Sequence, residues 1–242
     1  ALEIRKLIGY LPETPPLYSD MVVYDYLTFA ARLRNVPSKK TEMAVDQVIE
    51  RCSLKEVAGR IIGRLSKGYQ QRVGIAQALV HDPDILILDE PTIGLDPIQI
   101  IEIRKLIQEL SASHTIILSS HILPEITQIC KRVIIISDGQ IAAVDSLEAL
   151  TTRLRKGERL LLKLRQNNNE IINKLRALKK VTTVTEEKPA QFIIDCEPNA
   201  DIQDEIAQLT LDNKWGLVEL KPVSMTLEDI FLKLTLEESE IQ

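Results

Sequence analysis

Residues Ile85–Pro97 read ILILDEPTIGLDP. Ile85 to Leu88 form an apolar run of one strand's length. Its lack of alternation marks a strand buried on both faces of a parallel sheet. Such a run avoids charge, yet it closes on Asp89 and Glu90 side by side. A parallel strand delivers its carboxyl end to the edge of the sheet where ligand crevices form. An acid there is placed to hold Mg²⁺, which prefers hard oxygen ligands. The pleat turns the next side chain the opposite way, so Glu90 is free to address a water. One carboxylate for metal and a second for an attacking water is what nucleotide hydrolysis requires. A strand running into an acidic cap before Pro91 would give the same triplet, so the neighbours decide.

Upstream, GYQQRVGIAQALV sets Val73, Ala76, Leu79 and Val80 in helical phase, and Asp82-Pro83 stops the helix. Further back, residues 22–35 place Val23, Tyr26, Leu27, Ala30 and Leu33 on one helical face, ended by Pro37. TEMAVDQVIERC gives another face with Met43, Val45, Val48, Ile49 and Cys52. The opening KLIGYL reads as a strand. Downstream, Pro97 starts a helix whose inner face carries Ile100, Ile103, Ile107 and Leu110. TIILSS is a strand, ILPEITQIC a short helix and RVIIIS a strand. Asp138-Gly139 then makes a tight turn into QIAAV. Strands alternating with helices predict a parallel α/β sheet.

After Leu150 the texture changes. LLLKL, VTTVTEE, QFIIDC and GLVELKP read as strands, and EIINKLRAL and DIQDEIAQL as helices. Their order, β-α-β-β-α-β, is that of a ferredoxin-like α+β domain. A last helix, TLEDIFLKL, aligns Leu227, Ile230, Phe231 and Leu234, with Thr226 and Asp229 at capping-box spacing. These features predict two domains, 1–150 and 158–236. The only tryptophan, Trp215, is expected to pack at an element end, and the second domain shows no ligand constellation.

Lys and Arg number 30 against 35 acidic residues, for a net charge of -5. That balance argues against nucleic acid as the main partner. Cys52, Cys130 and Cys196 are scattered without a CxxC pair, as expected of reduced core thiols. No apolar run approaches the roughly 20 residues that span a bilayer.

Four motifs stand in order along the first domain: LSKGYQQR at Leu65–Arg72, ILILDEP, GLDP at Gly94–Pro97, and LSSH ending at His121. In that order and spacing they resemble the signature motif, Walker B strand, D-loop and switch histidine of ABC ATPases. The resemblance covers residues 1 to about 145. It is closest to the ATP-binding subunits of multidrug, polysaccharide, gliding-motility and Na⁺ exporters. It implies a P-loop NTPase-type parallel sheet with a helical subdomain at about 14–80, followed by the small accessory domain.

The resemblance also implies roles. Asp89 would hold Mg²⁺, Glu90 would be the catalytic base and His121 would orient the γ-phosphate and water. Ser66, Lys67 and Gly68, at a helix N-terminus suited to phosphate, would meet ATP bound by the opposite subunit of a head-to-tail homodimer. Asp96 would couple the two sites while also capping the helix before Pro97. Glu13 stands where the family has its Q-loop glutamine and would reach metal or water. Lys67 and Tyr69 replace the commoner Gly and Gln. His81 and His114, at element ends, are expected on the surface. The implied partners are a second copy and a separate membrane permease, and the implied location is the cytoplasmic face of the membrane.

The sequence contains no GxxxxGK[ST] loop, the segment that cradles the β-phosphate. The expectation is a chain that lacks the family's N-terminal strands and that binds and hydrolyses ATP poorly as it stands. The alternative is a permease-independent or regulatory ABC protein without ATPase activity.

Overall fold

The computed structural model describes residues 2–154, 157–168, 170–198, 200–223 and 226–231. The chain divides into two compact units, Ala1–Cys130 and Lys131–Gln242.

In the first unit, β1 (Ile8–Leu11), β2 (Ile85–Asp89) and β3 (Thr115–Ser119) form a parallel sheet with β2 at its centre. Leu11 lies opposite Leu88, and Leu88 opposite Leu118. The strand expected at KLIGYL is β1, which starts two residues later, at Ile8; Leu2–Lys6 before it form a helix, α1. Glu3 in its first turn and Arg5 and Lys6 in its last suit the helix dipole, and three charges in five residues do not suit a buried strand.

Around the sheet run α2 (Val23–Leu33), α3 (Ser38–Arg51), α4 (Lys67–Leu79), α5 (Pro97–Leu110) and α6 (Leu123–Ile129). Asn35 adopts a left-handed conformation (φ 61°) just past α2, so that helix ends before Pro37, which instead caps α3. Val23, Tyr26, Leu27 and Ala30 are buried as their spacing predicts, but Leu33 is 69% exposed and Ala31 takes its place. Met43 likewise faces outward, while Val45, Val48, Ile49 and Cys52 join the core.

Helix α4 is buried nearly all round. Gly68, Gln71, Val73, Gly74, Ile75, Ala76, Ala78 and Leu79 are all enclosed. Its small residues allow this: Gly74 sits against Leu11 and Pro15, and Gly9 of β1 sits against the Ala78 carbonyl. The helix covers the sheet face carrying Leu11, Leu86 and Leu88. The opposite face is more open than a doubly buried strand implies: Ile85 and Ile87 are half-buried, and Tyr10 and Ile117 are exposed.

In the second unit, β4 (Val133–Ser137) pairs antiparallel with β5 (Gln140–Asp145) across the tight turn expected at Asp138-Gly139, and the two form a sheet of their own, where the alternation of elements had predicted that RVIIIS would continue the parallel sheet. The reason is local. Asp138 and Gly139 both take positive φ, 48° and 77°, as a two-residue hairpin turn of type I′ requires. Helix α7 (Leu147–Leu154) follows.

Next come β6 (Glu158–Leu164), α8 (Glu170–Arg176), β7 (Val181–Lys188), β8 (Gln191–Cys196), α9 (Gln203–Asp212) and β9 (Leu217–Pro222). The strands lie in the order β7-β8-β6-β9, all antiparallel, which is the ferredoxin-like arrangement. Leu160, Leu162, Ile171, Leu175, Phe192, Ile194 and Ile206 fill its core. Trp215 is buried beneath the Lys174 ammonium, 5.8 Å from the ring centroid. Thr226 and Asp229 exchange hydrogen bonds at the start of the helical turn over 227–231, and Asp229 also pairs with Arg159 at 2.7 Å. Leu227 and Ile230 are buried, Phe231 is 37% exposed, and Leu234 lies outside the described residues. The three thiols are free; burial pushes Cys52 up to about 12, so it is inert packing.

The Gly9–Ala78 approach leaves no room for a side chain. Gly9→Ala should therefore lower the unfolding free energy by about 1–3 kcal/mol, read as a lower urea midpoint with an unchanged slope.

Candidate functional site

Parallel register carries the carboxyl ends of three strands to one edge of the first unit's sheet. Asp89 closes β2 and lies opposite Ser119, which closes β3. Glu13 follows β1 by two residues, and His121 follows β3 by two.

The connections among them are tight. Ser119 Oγ donates to Asp89 Oδ1. The Glu90 N–H donates to both the Ser119 carbonyl (3.2 Å) and its Oγ (3.1 Å). Glu90 itself sits at φ 45°, a left-handed conformation that costs a residue with a Cβ roughly 1–2 kcal/mol. Held there, its Oε1 accepts from the His121 N–H at 2.9 Å and lies 2.8 Å from Nδ1. The second oxygen, Oε2, is buried with no partner among the described residues. A buried carboxylate oxygen without a donor is costly, so a water or metal-bound group is what this position accommodates.

The His121 ring is 64% exposed. Its hydrogen bond to Glu90 raises its pKa above the ordinary 6.5, aided by the Glu90 charge and by those of Glu13 and Glu125. Exposed Glu13 is thus near enough for its charge to act on this ring. Among the described residues, no three His, Cys, Asp or Glu side chains converge as a metal cage. Mg²⁺ needs no such cage: one or two carboxylates complete its shell with phosphate and water oxygens. Asp89 offers a carboxylate of that kind.

A second cluster lies at the start of α4. Ser66 caps the helix, its Oγ accepting from the Tyr69 N–H at 3.4 Å. Gly68 is buried against Gln99, where a Cβ would stand 2.7 Å from that side chain. The Lys67 ammonium lies against Gly94, which takes φ 67° in the turn before α5. Asp96 caps α5, with Oδ1 accepting from the Ile98 and Gln99 N–H groups at 3.0 Å each. Ser66, Gly68, Tyr69, Arg72, Asp96 and Gln99 are among the residues lining an open groove of about 830 Å³ whose lining includes neither Asp89 nor Glu90.

The structure thus gathers the sequence-derived candidates into two groups. Asp89, Glu90 and His121, with Glu13 nearby, form one; Ser66, Lys67, Gly68 and Asp96 form the other. Sequence reasoning missed Ser119, whose only signal was a hydroxyl at a strand end whose register was unknown. One expectation is corrected: His114 is buried, with Nδ1 2.8 Å from the Pro83 carbonyl and Nε2 3.0 Å from Arg51. Since guanidinium only donates, Nε2 accepts and Nδ1 carries the proton. His81 is half-buried, and its burial lowers its pKa.

Comparison with known proteins adds an independent observation. Residues 2–93 match the ABC transporter family model. The chain is 37% identical over 185 residues to the ABC transporter ATP-binding protein YxlF of Bacillus subtilis, covering 76% of this chain and 58% of that protein. It is 33% identical over 235 residues to the bacitracin transport ATP-binding protein BcrA of Bacillus licheniformis, covering 96% of this chain and 74% of BcrA. Among solved structures, cbiO1 of Clostridium perfringens, part of the ABC transporter complex cbiONQ, superposes with a TM-score of 0.56 at 29% identity. That match covers 64% of this chain and 65% of cbiO1.

The Glu90–His121 contact sets a pH test. A histidine whose folded pKa is raised contributes stability that is fully present below 6.5 and is lost as pH rises through the raised value. Glu90→Gln should bring the His121 pKa down toward 6.5, while His81, held low by its burial, titrates as before. The imidazole NMR resonances of His121 and His81 would report it.

Proposed function

Because the chain belongs to the ABC transporter family of ATP-binding proteins, we propose that it is the ATP-binding and ATP-hydrolysing subunit of a transporter, powering export through a separate membrane permease. The observation that carries this reading is Glu90: one oxygen on His121, the other buried and unpartnered, beside Asp89 at the end of the central strand.

In the reaction, Asp89 would hold Mg²⁺, which when bound would neutralise charge on the phosphate oxygens. Glu90 accepts the proton of the attacking water as its oxygen bonds to the γ-phosphorus. The bond from that phosphorus to the β–γ bridging oxygen breaks, giving ADP and inorganic phosphate. His121, carrying its raised pKa, orients Glu90 and the γ-phosphate. Glu13 supplies a further oxygen at the same edge, toward metal or water.

The Ser66–Gly68 turn presents backbone N–H groups and the positive end of α4 to a γ-phosphate. On one chain this turn lines a groove that excludes Asp89 and Glu90. That separation supports a homodimer in which each turn, with Lys67 and Asp96, completes the partner's ATP site. We assign the ATPase domain to 1–150, with a helical subdomain at about 14–80 facing the permease, and the accessory domain to 158–236. No helix of the described residues is long and apolar enough to cross a membrane. We place the subunit on the cytoplasmic face, where the permease meets ATP. The relatives BcrA and the probable multidrug ATP-binding protein YbhF of Escherichia coli, 30% identical, support an exporter.

The test is ATP turnover by the full gene product with its permease. Glu90→Gln should cut kcat by on the order of a hundredfold or more while leaving ATP binding intact. Equal turnover in both proteins would reject Glu90 as the base.

A further inference from the structure

Behind the exposed Glu90–His121 contact lies a second link between the same two segments. Thr92, two residues past Glu90, donates from Oγ1 to Glu125 Oε2 at 2.6 Å. Thr92 is 2% exposed and Glu125 6%. Glu125 sits in the first turn of α6, four residues past His121, and its N–H donates to the Ile122 carbonyl at 2.9 Å. Helix α6 is in turn fixed to α5, because Gln108 Nε2 donates to the Gln128 carbonyl at 3.1 Å and Arg104 bonds the Gln128 side chain.

The two links close a ring: Glu90, Thr92, Glu125, His121 and back to Glu90. Their environments differ. The His121 side of the outer link is exposed and open to exchange with water or ligand. The inner link is enclosed, where a hydroxyl–carboxylate hydrogen bond is strong and neither group can turn to water as a substitute. A buried carboxylate is rare without a partner, and the partner this one has is the loop that carries Glu90.

We propose that Glu125 is a positioning residue for hydrolysis: through Thr92 it holds the Glu90 turn at a fixed distance from the His121 turn, so that the exposed contact re-forms in one geometry after each turnover. The inference rests on the reading of Glu90 and His121 as the hydrolytic pair. Its structural part, the tethering of the two turns, is measured without catalysis.

Thr92→Val removes the donor at nearly constant volume, Thr92→Ser keeps the hydroxyl, and Glu125→Gln keeps an acceptor but not the charge. Two measurements are made on the full gene product. Amide hydrogen exchange without nucleotide follows residues 90–96 and 119–123 against α4 as the internal reference. ATPase kinetics in the permease complex separate kcat from KM. In Thr92→Val, exchange should rise in those two segments but not in α4. Its kcat should fall about tenfold, the usual scale for a supporting bond behind a functional group, with KM for ATP unchanged. Thr92→Ser should restore both readouts, and Glu125→Gln should fall between.

Exchange and kcat that match wild type in Thr92→Val would overturn the proposal. So would a rise spread equally over α4, or a serine variant as impaired as the valine one, since either marks a pair that serves only general stability. Absence of turnover in the wild-type complex would count against the hydrolytic reading instead. The exchange result would then still decide whether the tether exists.

Discussion

The candidate site depends on the parallel register of β1, β2 and β3. With Leu11, Leu88 and Leu118 aligned across the sheet, whatever follows each strand must leave from the same edge. The acids can stand there because the strand's interior positions stay apolar: Leu86 and Leu88 are fully buried, and charge begins only at Asp89. A one-residue slip would reverse the faces of every β2 side chain and part Asp89 from Ser119. The Ser119 hydroxyl and carbonyl are what restrain the Glu90 backbone in its left-handed conformation. Sheet register, strained turn and carboxylate orientation are therefore one continuous constraint.

The second group is rigid for a different reason. Helix α4 is enclosed on nearly every side, so its N-terminal turn cannot shift without the core of its unit. Arg72 adds to this, donating to Glu102 of α5 at 2.9 Å and to the Cys52 carbonyl after α3 at 3.1 Å. Asp96, which lines the same groove, fixes the start of α5. Three helices thus meet around the Ser-Lys-Gly turn. If this turn meets phosphate as we propose, such support helps it, because preorganised N–H groups need no rearrangement when the anion arrives.

What could be read from the sequence was what is locally determined. The Asp89-Glu90 pair, the Asp96 cap and the Asp138-Gly139 hairpin each follow from a few adjacent residues. Helical phase placed Val45, Ile49, Val73 and Ile103 inside. It failed for Leu33 and Met43 because periodicity gives the direction of a face and not its width, and each lies at a margin. The burial of His114 was illegible, since its partners Pro83 and Arg51 are 31 and 63 residues away. Nor does anything in a glutamate announce a positive φ. That conformation is imposed from β3, 29 residues downstream. The β4–β5 pairing followed from its two-residue turn, whereas the rhythm of alternating elements, which pointed to a parallel β4, did not decide its partner.

The site combines a labile contact with fixed surroundings. The Glu90–His121 bond joins a half-buried carboxylate to an exposed ring, and water screens such a pair enough to keep its stabilising effect small. With Glu90 as the base we propose, that weakness suits hydrolysis. A base bound firmly to histidine could not take a proton from water, whereas a screened one exchanges partners at little cost. Freedom of that kind is useful only if the group returns to the same place. In the arrangement we propose, the backbone hydrogen bonds from Glu90 to Ser119 and the buried Thr92–Glu125 bond, not the exposed contact itself, supply that return. Freedom to exchange and fixity of position therefore rest on different bonds.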